Sequence, residues 1–166
     1  MDVSLFSKRY FVRKLETADV AVIYALCREN ALYYRYCPPF VTEDSIIEDM
    51  KALPPHKELS DKYYVGYFDG EKLIAVMDFI RDYPARGIGF IGFFMTDVSV
   101  QRTGTGSGII RELCGYLRNI GFREIRLGWV KGNPQAEHFW HKNGFTETGR
   151  TYDTEQYKVI VARRAL

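Results

Sequence analysis

The chain has 166 residues, a formal net charge of +2, 46% hydrophobic residues and 27% charged residues. That length suits one folded domain, residues 1–166, able to bury most of its unfolded surface, with no room for a second fold. The charge is too small and too scattered for a nucleic-acid partner, and no stretch reaches the roughly 18 apolar residues of a membrane helix. Residues 1–8 lack the apolar core of a secretory signal, so a cytoplasmic location is expected. Cys27, Cys37 and Cys114 are odd in number and show no paired metal spacing, which points to free thiols, with Cys114 a small core residue.

In chain order, residues 9–15 read as a strand, and Thr17 is placed to cap a helix over 18–28 whose apolar side is Val20, Ile23, Ala25, Leu26 and Cys27. A tyrosine-rich link with Tyr33, Tyr34 and Tyr36 runs into Cys37-Pro38-Pro39, where two prolines forbid a continued helix. Thr42 then caps a helix carrying Glu43 and Asp44 in its first turn, with Ile46, Ile47, Met50 and Leu53 before Pro54-Pro55. Residues 63–68 and 72–80 are strands joined by the turn signal Asp69-Gly70. Strict alternation puts Leu73, Ala75, Met77 and Phe79 on one face and Ile74, Val76, Asp78 and Ile80 on the other. Asp78 is then the one charge in an apolar row. It is either a structural residue, partly exposed or satisfied by a backbone donor, or a functional carboxylate.

After a turn over 82–87, residues 88–96 are apolar on both faces, as a central strand covered on both sides should be. Gly89 and Gly92 inside it mark a bulge or a close backbone approach. The strand leads into Gln101-Arg102-Thr103-Gly104-Thr105-Gly106-Ser107-Gly108, and an amphipathic helix over 107–120 leaves it, with Ile109, Ile110, Leu113, Cys114 and Leu117 on one side. Small, permissive residues at a helix N-terminus form an anion cradle, and phosphate is the expected guest. The spacing fits neither nucleotide loop: no lysine follows at the position a triphosphate loop requires, and Ile109 stands where the dinucleotide fingerprint needs glycine. Gly121 suits a left-handed helix end. A strand over 123–130 follows, then Asn133 as N-cap, Pro134 at the first helical position, and Ala136, Phe139, Trp140 and Asn143 along one stripe ending at Gly144. Residues 145–150 and 157–162 close the chain as a strand pair.

The pattern Gln/Arg-x-x-Gly-x-Gly/Ala, met by Gln101, Gly104 and Gly106, is followed by Asn133-Pro134-Gln135-Ala136-Glu137-His138-Phe139-Trp140-His141-Lys142-Asn143-Gly144-Phe145. Together these blocks resemble the GNAT superfamily of N-acetyltransferases, a likeness running from about residue 10 to residue 162. The resemblance implies an α/β (α+β) fold: a mixed, mostly antiparallel seven-stranded sheet splayed between strands 4 and 5 and flanked by about four helices. It also implies acetyl-coenzyme A as co-substrate. Met95, Thr96, Asp97 and Val98 match the splayed strand that pairs with the pantetheine arm. Gln101, Arg102, Thr103, Gly104, Thr105, Gly106 and Ser107 match the pyrophosphate loop, and Asn133, Phe139 and Trp140 complete the cofactor side. The two early helices and their link match a wall of the acceptor groove, to which Tyr33, Tyr34 and Phe93 are assigned.

The sequence departs from the family where a tyrosine usually protonates the leaving thiolate, because Trp140 stands there and an indole N–H is no usable acid. Tyr152, expected on the loop between the last two strands, is a candidate replacement. His141 points about 100° round the helix from Trp140. Asp78 and Asp97 are candidates for taking the proton of the amine, whose pKa near 10.4 demands a base or a water path. His138 and His141 lack a third ligand nearby in sequence, so no metal is expected. Two readings follow. One is an N-acetyltransferase acting on a primary amine of a small molecule or protein by direct attack; the other is an acetyl-coenzyme A binding module with little turnover. Neither a nucleic acid nor a membrane is an expected partner, and the chain is expected to be a monomer or homodimer.

Overall fold

The computed structural model describes all of residues 1–166. Its frame is a seven-stranded sheet in the order β1-β2-β3-β4-β5-β7-β6. The strands are β1 Phe11–Lys14, β2 Lys62–Asp69, β3 Lys72–Ile80, β4 Ile88–Thr96, β5 Glu124–Val130, β6 Thr146–Asp153 and β7 Lys158–Ala165. All neighbours are antiparallel except β4 and β5, which run parallel over Ile88–Ile91 and Glu124–Leu127 only. From Gly92 onward β4 leaves β5, which opens the sheet at its centre.

Five α-helices accompany the sheet, where about four were expected: α1 Val20–Arg28, α2 Ala31–Tyr36, α3 Glu43–Lys51, α4 Thr105–Asn119 and α5 Pro134–Lys142. The extra helix is α2, formed within the tyrosine-rich link and stopped just before Pro38, as the proline constraint requires. The start of α1 also differs from expectation. Residues Thr17–Asp19 form a short 3-10 turn, and its cap is Glu16, with Glu16 and Asp19 bonding reciprocally to each other's backbone, so Thr17 caps nothing. Thr42 does cap α3, in a reciprocal pair with Ser45.

Two apolar layers lie against the sheet. One joins Ile109, Ile110, Leu113, Cys114 and Leu117 of α4 to Ala75, Met77 and Phe79 of β3, with Trp140 of α5 and Phe6 of an N-terminal 3-10 turn. The other joins Ile23, Leu26 and Cys27 of α1 and Ile46 of α3 to Leu73, Val76 and Met95. Strict alternation along β3 fails at its start. Ile74 is an extra residue opposite Tyr67 and Phe68, so Leu73 falls on the face of Val76 and Asp78, while Ile74 packs in the α4 layer. A second bulge lies across from Asp78 and Phe79, where Gly92 is the unmatched residue of β4. Gly89 has a different cause: a Cβ there would stand 2.5 Å from the Phe79 ring, so the glycine is required by packing.

Candidate functional site

The turn from β4 into α4 has a backbone that only permissive residues adopt easily. Arg102 has φ 62° and Gly104, the N-cap of α4, has φ 90°. The amides of Arg102, Thr103, Gly104, Gly106 and Ser107 are left without an acceptor, whereas Gly108 already donates to the Gly104 carbonyl. Unmet N–H groups at the positive end of a 15-residue helix make a concave anion site. A Cβ on Gly106 would stand 3.1 Å from Phe139 Cε2 and 3.5 Å from Thr96 Cγ2, so α5 and the end of β4 press against this turn. These features fit a phosphate group.

The side chain of Gln101 serves the scaffold. Its Nε2 donates to Asn30 Oδ1 at 2.7 Å and to the Thr96 carbonyl at 3.3 Å, and Asn30 Nδ2 donates to the carbonyls of Leu26 and Thr96. The end of α1, the end of β4 and the cradle are thereby tied at one point. Asn30 is buried and carries no motif, so nothing in the sequence singles it out. On the other side Asn143 Nδ2 donates to Ser107 Oγ at 3.1 Å, joining α5 to the first turn of α4. A polar groove of about 370 Å³ opens there, lined by Ser107, Arg111, Lys142, Asn143, Gly144 and Arg164.

Several expected cofactor residues spend their polar groups inside the fold. Asp97 donates its amide to the Ile74 carbonyl, and its carboxylate accepts from Ser99 and pairs with Lys72 at 3.2 Å. Burial pushes the Asp97 carboxyl upward, but the Ser99 bonds and Lys72 outweigh it and hold the group below the ordinary range, which makes it a poor base. Asn133 is buried with its Oδ1 on the amide of Ala136 as the cap of α5. Met95 is buried in the α1 side of the core, so only its backbone faces the opened edge. Val98 is exposed.

Trp140 is 7% exposed and packs against Phe94, Phe139 and Phe145, at ring distances of 6.1, 4.9 and 5.1 Å. Phe94 and Phe139 stack at 5.9 Å. This aromatic group sits beside the opened strands and presses Phe139 onto the cradle. His141 points away, its ring 5.3 Å from that of Trp129, and it does not take the place of a phenol. The two histidines of α5 do not pair. His141 instead lies with Glu137 and Glu147, three potential ligand atoms within 4.8 Å of one another, where the sequence offered no third ligand.

On the α1 side, Tyr33, Tyr34 and Phe93 come together. Tyr33 meets Tyr34 edge-on at 5.0 Å and Phe93 at 5.8 Å, and Phe40 adds a further ring 5.0 Å from Tyr34. Tyr152 is not part of this group: it lies within β6, not on a loop, and is 64% exposed. The residue that the last hairpin brings to the site is Tyr157, whose hydroxyl is 3.3 Å from Cys37 Sγ. That contact and burial push the Tyr157 phenol up to about 12. The sequence signal for Tyr157 was weak, because the expected strand ended too early to put residue 152 inside it and residue 157 at the tip.

Asp78 is not alone. Lys62 Nζ donates to Asp78 Oδ2 at 2.7 Å and to the Ala52 carbonyl at 2.9 Å, and the lysine side chain is 2% exposed. Asp78 Oδ1 has no hydrogen-bond partner. A Cβ on Gly92 would stand 2.8 Å from Asp78 Oδ2, so the bulge lays bare backbone directly over this carboxylate. Burial raises the Asp78 carboxyl above its ordinary range, with Lys62 opposing and Asp49 adding to the rise.

Residues 23–145 match the Acetyltransferase (GNAT) family. An acetyltransferase from Thermus thermophilus superposes with TM-score 0.76 at 16% identity, over 95% of this chain and 97% of that one. A PaiA N-acetyltransferase from Thermoplasma acidophilum, solved with coenzyme A, gives 0.69 at 17% identity over 95% and 99%. A spermidine N-acetyltransferase from Vibrio cholerae, solved with coenzyme A and spermine, gives 0.69 at 18% identity over 96% of each chain. No curated protein matches the sequence. The family match spans α1 through α5, including the opened strands and the cradle, and the chain belongs to the GNAT acetyltransferase family.

Proposed function

We propose that the protein is an acetyl-coenzyme A-dependent N-acetyltransferase that passes the acetyl group to a primary amine, of a small molecule or a protein, by direct attack in a ternary complex. The observation that carries this reading is the set of unmet amides of Arg102, Thr103, Gly104, Gly106 and Ser107, at the end of the strand that parts from β5. Acetyl-coenzyme A supplies the acetyl group as a thioester. Its pyrophosphate fits the amides of residues 102–107, and its nucleotide end fits the cationic groove of Arg111, Lys142 and Arg164. The freed edge of β4 over Gly92–Thr96 offers backbone donors for the pantetheine arm and for the charge that develops on the carbonyl oxygen.

The acceptor approaches from the α1 side, past Tyr33, Tyr34 and Phe93. Asp78 takes the ammonium proton through the bare backbone at Gly92, directly or by one water, which leaves a neutral nitrogen to attack. The new C–N bond forms, the C–S bond breaks, and the sulfur leaves as a thiolate that water or solvent reprotonates. Trp140 and its aromatic neighbours exclude bulk water and hold the turn in place. Positioning of the two substrates accounts for most of the acceleration, an effect worth about 7 kcal/mol or more when geometry is good.

Direct attack is tested by varying both substrates in a thiol-release assay and by weighing the protein after exposure to acetyl-coenzyme A alone. Intersecting initial-rate lines and an unchanged protein mass are expected. Parallel lines with an acetylated protein would instead place a covalent intermediate on the path.

A further inference from the structure

The groove beside the cradle holds a surplus of positive charge. Arg111, Lys142 and Arg164 line it together with Ser107, Asn143 and Gly144, and no carboxylate does. None of the three cations forms an ion pair. The adjoining groove of about 450 Å³ differs in this respect, because Glu124 lies in it and pairs with both Arg126 and Arg163. Arg164 is also held in place. Its Nη1 donates to the Asn143 carbonyl at 2.8 Å, and a Cβ on Gly144 would stand 3.6 Å from its Nε. A half-buried guanidinium fixed in this way keeps the rest of its fork for a ligand and loses little freedom on binding one. The groove begins at Ser107, whose amide is the last unmet donor of the cradle and whose hydroxyl meets Asn143. Arg111 follows four residues later, about 6 Å further along the same face of α4. A second anion one sugar away from a phosphate on the cradle therefore meets these cations.

We propose that this groove reads the ribose 3′-phosphate of the donor, so that the protein accepts thioesters of free coenzyme A and rejects those of dephospho-coenzyme A and of phosphopantetheine on a carrier protein. The proposal rests on the acetyl-coenzyme A reading of the cradle and adds the group by which that donor is told from its relatives. A phosphomonoester carries a charge of about −1.5 to −2 at pH 7 and matches a guanidinium fork with two parallel hydrogen bonds. The pyrophosphate is common to coenzyme A and dephospho-coenzyme A, so the cradle amides alone give no discrimination between them. A carrier-bound pantetheine has no nucleotide to place in the groove at all. Arg111, Lys142 and Arg164 touch no reacting atom and set donor specificity.

The test is calorimetry at low ionic strength with coenzyme A and dephospho-coenzyme A, on wild type, Arg111→Gln, Arg164→Gln and the double variant. Wild type should bind coenzyme A at least about tenfold more tightly than dephospho-coenzyme A, as expected for a charge-assisted contact. Each single variant should shrink that ratio by about threefold or more, and the double variant should bring it close to one. Arg111 is exposed on α4, so its variant reports on the groove without the Asn143 bond that Arg164→Gln removes. Both ligands are measured on every variant, and a drop shared equally by the two leaves the ratio intact and counts against the site. Equal affinities in wild type, or a preference that survives the double variant, overturn the proposal and leave the acetyl-coenzyme A reading standing. Binding of neither molecule to wild type overturns both.

Discussion

Asp78 Oδ2 lies 2.7 Å from Lys62 Nζ, while Asp78 Oδ1, on the same carboxylate, has no partner. Oδ2 thus serves both the lysine and the Gly92 bulge, where a Cβ would stand 2.8 Å from it, while Oδ1 is a buried acceptor with no donor. An ionised Asp78 can accept a proton, so kcat/KM should fall as pH drops through its raised pKa. Lys62→Met removes the cation that opposes this rise. The acid limb of the kcat/KM profile should then move to higher pH, at a stability cost of about 3–5 kcal/mol for breaking a buried pair. An unmoved limb in a folded variant would assign Asp78 to structure alone.

Gly106→Val should abolish acetyl-coenzyme A binding. Its Cβ would already stand 3.1 Å from Phe139, and the two methyl groups beyond it have to displace that ring or enter the cradle. Calorimetry on a variant with unchanged circular dichroism is the check, and wild-type affinity would put the cofactor elsewhere.

Trp140 gives a graded series. Trp140→Ala should cost about 3–5 kcal/mol of stability and much of the activity, because it empties the space among Phe94, Phe139 and Phe145. Trp140→Phe should keep most of the activity, and Trp140→Tyr should add little, since coenzyme A thiols titrate near 8.5 and leave without an acid. A gain of about 10²-fold or more with tyrosine would show that the wild-type site lacks a needed proton donor.

Stability at low pH should depend on Asp19, which forms a two-toothed bond with Arg13 at 2.8 and 2.7 Å. That bond holds the Asp19 carboxyl below its ordinary range. A lowered folded pKa contributes stability above the unfolded value of about 3.9, and the contribution is lost as pH falls through the folded pKa. Since Arg13 is 39% exposed, about 0.5–1 kcal/mol remains after solvent screening. Thermal melts of Asp19→Asn should fall below wild type at pH 7, and the gap should close in strong acid.

The elements set by local chemistry were legible in the sequence. Gly104 and Gly106 located the turn into α4, Pro134 and Asn133 located the start of α5, and the long apolar run over 88–96 located the central strand. Features that depend on register between strands were hidden. Lys62 meets Asp78 only because β2 and β3 align Tyr64 with Asp78, and the bulge at Ile74 overrode an alternation read residue by residue. Tyr157, and not Tyr152, meets Cys37 for the same reason, since β6 extends to Asp153 and carries residue 152 out to solvent. Contacts such as Gln101 with Asn30 join residues 71 apart and leave no local trace.

Acetyl transfer itself is tested most directly by mixing the protein with acetyl-coenzyme A and a panel of primary amines, then quantifying free coenzyme A thiol and acetylated amine together. The two products should appear in equal amounts, only when an amine is present, and the reaction should vanish with Gly106→Val. Tight binding of acetyl-coenzyme A with no acetylated amine above the spontaneous rate, across small amines and peptide amines alike, would contradict it and mark the protein as a binding module.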